Sequence, residues 1–108
     1  VPWSHYCGSV AAAIRYAVDR HKPVLMIGQP RLSYENSLER HASQQRAVAE
    51  MIARDFAGND RVRYVDMGNA VSTNDGSLAF DGMHLNAKGN AIVAAALAPA
   101  VREMLARR

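Results

Sequence analysis

An aspartate and a histidine with the spacing of a charge-relay pair lie near the end of the chain, at Asp81 and His84. A carboxylate just upstream of a histidine can accept a hydrogen bond from Nδ1–H, which leaves Nε2 free to take a proton from a nucleophile. Gly82 permits the sharp turn that brings the two side chains together. Asn86 is a good helix N-cap, so we expect the pair at the start of a helix.

The spacing of apolar residues predicts the elements that position this pair. After an irregular segment, 1–8, a helical pattern begins at Ser9 and ends at Lys22-Pro23, because the residue before proline is pushed out of the α region. The unbroken apolar run Val24–Ile27 predicts a strand that is covered on both faces, as in a parallel sheet.

The second half of the chain continues the alternation of helix and strand. A helical stripe runs from Ser37 to Phe56, and a partly alternating strand, Val62–Met67, follows it. The last helix starts near Asn86, and Pro99 predicts a kink or a break in it. Its expected buried stripe consists of Ile92, Val93, Ala96, Leu97, Val101, Met104 and Leu105.

This order of elements is that of the back half of a doubly wound α/β fold, in which ligands bind beyond the carboxyl ends of the strands. Gln29 and Pro30 follow the first strand, so they are candidates for lining a substrate pocket. Asp81 and His84 lie in the loop after the second strand. Two strands alone leave one side of Val24–Ile27 unpaired and apolar helix surface uncovered, so we expect this fold to need a missing half.

Length and composition limit the other possibilities. The 108 residues suffice for one domain, and 49% of them are hydrophobic. The net charge of +3 is spread among interspersed acids and bases, which indicates a solvated surface and no nucleic-acid partner. The longest apolar run, around 91–101, is too short for a membrane span. The single cysteine, Cys7, excludes an internal disulfide framework and leaves the cellular compartment open.

The block Asp81-Gly-Met-His84-Leu85-Asn86-Ala-Lys-Gly89 resembles the last sequence block of the SGNH (GDSL-type) serine hydrolases. Two upstream segments are similar to strands of that family: Arg63–Asp66, and Val24–Ile27 with its Pro-containing loop. The resemblance implies a three-layer, flavodoxin-like α/β fold. Residues 1–108 would form its C-terminal portion, with two parallel strands and three helices.

The same resemblance implies acyl-ester hydrolysis through a serine acyl-enzyme. His84 would be the general base and Asp81 would orient it. The implied substrate is a small-molecule ester, and no metal or organic cofactor is implied. The chain contains no Gly-Asp-Ser and no Gly-x-Asn-Asp, so the nucleophile and the oxyanion donors would come from the missing N-terminal half. The isolated chain is therefore expected to be inactive.

Several alternatives remain open at this stage. No serine follows a strand in a nucleophile turn, and Ser9, after Gly8, comes nearest; the others are Ser4, Ser33, Ser37, Ser43, Ser72 and Ser77. Cys7 could form a thiol dyad with His84. A metal site could combine Asp81 and His84 with one further histidine: His5, His21 or His41, the last expected to be exposed. A non-catalytic module that binds carbohydrate or a protein partner is the second functional hypothesis.

Overall fold

The computed structural model describes residues 3–31 and 37–106 and contains three helices and two strands. In chain order they are α1 (Ser4–Val18), β1 (Val24–Gly28), α2 (Ser37–Asp55), β2 (Val62–Asp66) and α3 (Ala87–Ala106). The strands are parallel neighbours, with Val24 opposite Val62 and Gly28 opposite Asp66. The predicted alternation of helix and strand and the parallel pairing are therefore confirmed.

The elements form three layers around this sheet. The core lies between the sheet and the α1–α2 pair; its buried members are Ala11, Ile14, Val48, Met51, Ile52 and Val62. Met26 and Tyr64 point from the strands toward the same side. Since side chains alternate along a strand, Arg63 points to the opposite face. There its guanidinium donates to the Glu103 carboxylate of α3 at 2.9 Å, so α3 lies on the other side of the sheet.

Helix α1 begins at Ser4, earlier than the Ser9 that the sequence predicts. The Cys7 N–H donates to the Trp3 carbonyl at 2.8 Å, and the Trp3 indole donates to Ser43 Oγ of α2 at 3.2 Å. Cys7 also packs against the core. Contacts with α2 thus stabilise a first turn whose own sequence is a weak helix former. Of the segment predicted to be irregular, residues 1–2 lie outside the described part of the chain.

The end of α1 is set by backbone hydrogen bonds that precede Pro23. Lys22 N–H donates to the Ala17 carbonyl and His21 N–H to the Val18 carbonyl, each at 3.0 Å. His21 has a φ of 58°, so these bonds form a Schellman motif with a non-glycine residue in the left-handed conformation. This motif turns the chain into β1.

Helix α3 continues through Pro99 without a break, so of the predicted kink or break only the break is wrong. Because Pro99 and Ala95 are both exposed, water can reach the carbonyl that loses its helical partner. Of the predicted buried stripe only Met104 is buried: Val93 and Leu97 are half-buried, while Ile92, Ala96, Val101 and Leu105 are exposed. No other described element covers that face. In the described ranges, no helix is long and apolar enough to cross a lipid bilayer.

Candidate active site

The loop between β2 and α3 ends in a small closed turn. An antiparallel bridge joins Ala79 to Leu85, and the Phe80 N–H donates to the His84 carbonyl at 2.9 Å. We call the residues 80–84 enclosed by this bridge the Asp–His turn. Asp81 lies at its beginning and His84 at its end, so the chain returns on itself between the two side chains.

Within the Asp–His turn, both oxygens of the Asp81 carboxylate accept hydrogen bonds. Oδ1 accepts the backbone N–H groups of Met83, at 3.0 Å, and of His84, at 2.8 Å. Oδ2 lies 2.7 Å from His84 Nδ1. Gly82 has a φ of 78°, a backbone conformation that residues with a Cβ rarely adopt. The glycine therefore allows a turn in which one carboxylate binds the backbone and the imidazole at once.

The hydrogen bonds of the pair favour the ionised form of the Asp81 carboxylate. The hydrogen bond from the His84 side chain, followed by the one from its backbone N–H, holds the pKa of Asp81 below its ordinary value. When Nδ1–H donates to Oδ2, the lone pair of the ring is on Nε2. The His84 side chain is 71% exposed, so Nε2 is accessible to a reacting group. This arrangement can remove a proton from a hydroxyl and later return it.

The first turn of α3 is fixed to the same loop. Asn86 Oδ1 accepts the Gly89 N–H at 2.9 Å, and Asn86 Nδ2 donates to the Ser77 carbonyl at 2.8 Å. The predicted role of Asn86 as the N-cap is therefore confirmed. Gly89 is buried, and a Cβ there would lie within 3.0 Å of the Leu78 carbonyl oxygen. Only a residue without a side chain lets the helix approach the loop so closely.

A cavity of about 340 Å³ opens beside the imidazole; we call it the His84 cavity. Its lining consists of Gln29, Pro30, Met83, His84, Leu85 and Asn90. The structure thus brings Gln29 and Pro30, at the end of β1, to the same cavity as His84. Met83 and Asn90 are lining residues that the sequence did not predict. Asn90 lies one helical turn beyond the N-cap Asn86, and this spacing could have predicted that Asn90 lies near the same loop.

The candidate nucleophiles that the structure describes lie elsewhere. Among the described residues, no serine or cysteine lines the His84 cavity. Cys7 lines a separate groove between α1 and α2. Ser9 is exposed on α1, and the Ser77 hydroxyl donates to Asp75 at 2.7 Å. Ser33 and the side chain of Ser37 fall outside the part of the chain that the structure describes.

The remaining histidines do not join the Asp81–His84 pair. Within residues 3–31 and 37–106, no group of three or more His, Cys, Asp or Glu side chains could hold a metal ion. His5 is exposed on α1 and His21 ends that helix. The expectation that His41 is exposed is wrong, since it is only 8% exposed. Its Nε2 lies 3.2 Å from the Gln45 amide nitrogen, and burial, followed by the charge of Arg31, lowers its pKa.

A model of a known protein family matches most of the chain. The family model described as GDSL-like lipase/acylhydrolase matches residues 2–97. The matched region includes both strands, α2 and the Asp–His turn. No curated protein and no solved structure gives a significant match to the chain.

Proposed function

Since the chain belongs to the GDSL-like lipase/acylhydrolase family, whose fold is the flavodoxin-like three-layer α/β arrangement, we propose that it supplies the acid and the base of a serine hydrolase. The reaction is the hydrolysis of an acyl ester through an acyl-enzyme. Asp81 and His84 are the two members of the triad that lie in this chain.

The observation that supports this proposal most directly is the 2.7 Å separation of His84 Nδ1 and Asp81 Oδ2. In the proposed reaction, His84 Nε2 removes the proton of a serine hydroxyl as the oxygen attacks the ester carbonyl. The imidazolium, stabilised by Asp81, then protonates the departing alcohol. A water molecule repeats the sequence on the acyl-enzyme and releases the acid. No step uses a metal or an organic cofactor.

The nucleophile and the oxyanion donors are proposed to lie on a segment outside these 108 residues. Two observations support this division of the site. The His84 cavity has no serine among its described lining residues. The apolar side chains of Ile92, Val101 and Leu105 are exposed on α3, as expected if a further part of the domain covers that helix.

Gln29 and Pro30 are proposed to contact the small-molecule ester. Both line the cavity that contains His84, and both follow the carboxyl end of β1, where α/β folds bind ligands. The Pro30 ring offers an apolar surface, and the Gln29 amide offers a donor and an acceptor. These contacts suit a substrate with a polar group next to its acyl or alcohol portion.

Labelling with a fluorophosphonate and hydrolysis of p-nitrophenyl acetate test the proposal in the complete protein that contains this chain. We expect His84→Ala to abolish both signals, because the hydroxyl loses its base. His5→Ala is the matched control, since His5 is exposed on α1. We also expect the 108-residue chain alone to be neither labelled nor active. Full activity in the His84→Ala variant would refute the role of His84, and activity of the isolated chain would refute an external nucleophile.

A non-catalytic module that binds carbohydrate or a protein partner is the second candidate. The absence of a described serine from the His84 cavity favours it. The same labelling experiment separates the two functions, because a fluorophosphonate reacts only with an activated nucleophile. A complete protein that remains unlabelled and hydrolyses no ester, yet binds carbohydrate, would establish the module.

A further inference from the structure

A second cavity, of about 200 Å³, lies where the carboxyl ends of both strands meet α2. The residues that give it its chemistry are Arg31, Gln45, Arg46, Tyr64 and Asp66; we call it the arginine pocket. Gln29 lines both this pocket and the His84 cavity. The two cavities are therefore neighbours that share one wall.

The arginine pocket carries an excess of positive charge. Among the described residues, two guanidinium groups line it, against the single carboxylate of Asp66. Asp66 Oδ1 accepts the Gly68 N–H at 2.7 Å, so part of its hydrogen-bonding capacity is used by the loop. Arg46 is exposed, and no carboxylate within the described ranges forms an ion pair with it. Relative to the described part of the chain, its donors can therefore bind an anion.

Arg31 is held in place by contacts with the loop that follows β2. Its N–H donates to the Gly68 carbonyl at 3.1 Å, and its carbonyl accepts the Thr73 hydroxyl at 2.7 Å. The guanidinium donates to Asn69 Oδ1 through Nη1, and a guanidinium has further N–H donors. A fixed arginine can bind a planar carboxylate with less loss of entropy than a freely rotating one.

The floor of the pocket is neutral and hydrogen-bonded. The Tyr64 hydroxyl donates to Gln45 Oε1 at 3.3 Å. Burial, followed by the charge of Asp66, raises the pKa of Tyr64. The phenol therefore remains protonated at neutral pH and does not repel an incoming anion. The only fixed charges that face the pocket are then the two arginines and Asp66 among the residues described.

We propose that the arginine pocket binds a carboxylate carried by the ester substrate, at the end remote from the scissile bond. Arg31 and Arg46 bind this carboxylate. The two arginines and Asp66 together carry one positive charge, which one carboxylate neutralises. The substrate class is thus an ester whose acyl or alcohol portion bears a carboxylate. This inference rests on the proposed function, because that function places ester cleavage in the adjacent His84 cavity.

The test compares an uncharged ester, p-nitrophenyl butyrate, with an anionic one, mono-p-nitrophenyl succinate, in the complete protein. The quantity measured is the ratio of kcat/KM for the anionic ester to that for the uncharged one. We expect Arg46→Gln to lower this ratio about tenfold, the effect of losing one charge-assisted hydrogen bond. Arg46→Glu should lower it further. Arg102→Gln, which removes the same charge from the exposed side of α3, should leave the ratio unchanged.

A ratio that stays the same in both Arg46 variants would overturn the inference, while hydrolysis that depends on His84 would still support the proposed function. If the wild type cleaves neither ester, the proposed function fails together with the assignment of an ester, and the melting temperature then decides whether the arginine pocket binds a carboxylate. Sodium succinate should raise the Tm of the wild type more than sodium chloride of equal ionic strength, and Arg46→Gln should remove that difference. An equal rise in wild type and variant would refute binding at the arginine pocket.

Discussion

Gly89 is the position where one added methyl group tests the link between α3 and the Asp–His turn. A Cβ there would lie within 3.0 Å of the Leu78 carbonyl oxygen, and 3.2 Å from Leu85 Cβ. Since the first obstacle is backbone, it cannot rotate away as a side chain would. In Gly89→Ala, either the first turn of α3 or the loop that it touches must therefore shift by several tenths of an ångström.

Two opposing terms set the size of the effect on stability. Overpacking lowers the free energy of unfolding by about 1–3 kcal/mol. Replacing a helical glycine with alanine raises it by about 1 kcal/mol, because alanine is the better helix former. We expect a net loss of about 0–2 kcal/mol in the free energy of unfolding. The effect on catalysis should be larger. The Leu78 carbonyl accepts the Asn86 N–H at 2.8 Å, so its displacement moves the base of the turn that carries His84. Small displacements of a catalytic group cost about 10–100-fold in rate.

Urea denaturation and kcat/KM for p-nitrophenyl acetate, both on the complete protein, measure these effects. Gly8→Ala on α1 is the matched control, because nothing lies within 4 Å of the Cβ that it adds. It should gain about 0.5–1 kcal/mol of stability and retain its activity. If Gly89→Ala behaves like Gly8→Ala in both measurements, the contact between α3 and the loop does not position His84.

Three further predictions concern single side chains. In Asp81→Asn, the retained oxygen still accepts the backbone N–H groups, but the amide nitrogen cannot accept the imidazole Nδ1–H. Turnover should therefore fall about 10⁴-fold. A loss below tenfold would contradict the orienting role of Asp81. The pKa of His41 is lowered in the folded state. As the pH falls below about 6.5, the unfolded chain therefore binds a proton at this residue before the folded chain does. The free energy of unfolding should then decrease by at most about 1.4 kcal/mol per pH unit. His41→Gln should flatten this slope in urea titrations at several pH values, and His5→Gln should not; equal slopes would argue against a neutral His41. Asn86→Ala should lower the free energy of unfolding by about 0.5–2 kcal/mol through loss of the α3 cap, and an unchanged urea midpoint would show that the cap is dispensable.

The features that the sequence predicted, the Asp81–His84 pair and its place at the sheet edge, depend on contacts between residues close in the chain. Asp81 and His84 are three residues apart with Gly82 between them, so chain geometry alone brings their side chains together. Strand–loop–helix order then places the pair, and Gln29, at one edge of the sheet. Neither inference needs knowledge of how the helices pack.

The features that the sequence did not predict depend on long-range packing. The burial of His41 and the arginine pocket both arise because α2 lies across the strand ends, which no local pattern encodes. The periodicity of α3 predicts an apolar face but not which element covers it, and Val101 and Leu105 are accordingly exposed. The early start of α1 likewise depends on a contact with a residue 40 positions away.

Within the described part of the chain, all three hydrogen bonds to the Asp81 carboxylate come from two residues of the same short turn, Met83 and His84. The orientation of the imidazole relative to the carboxylate is therefore encoded within a single short peptide, whereas the contact with α3 sets where that peptide lies. Such a peptide could be grafted onto an unrelated strand–helix junction and would carry its acid–base pair with it. This local encoding also lets a hydrolase change its substrate-binding loops, since the orientation of His84 relative to Asp81 does not depend on them.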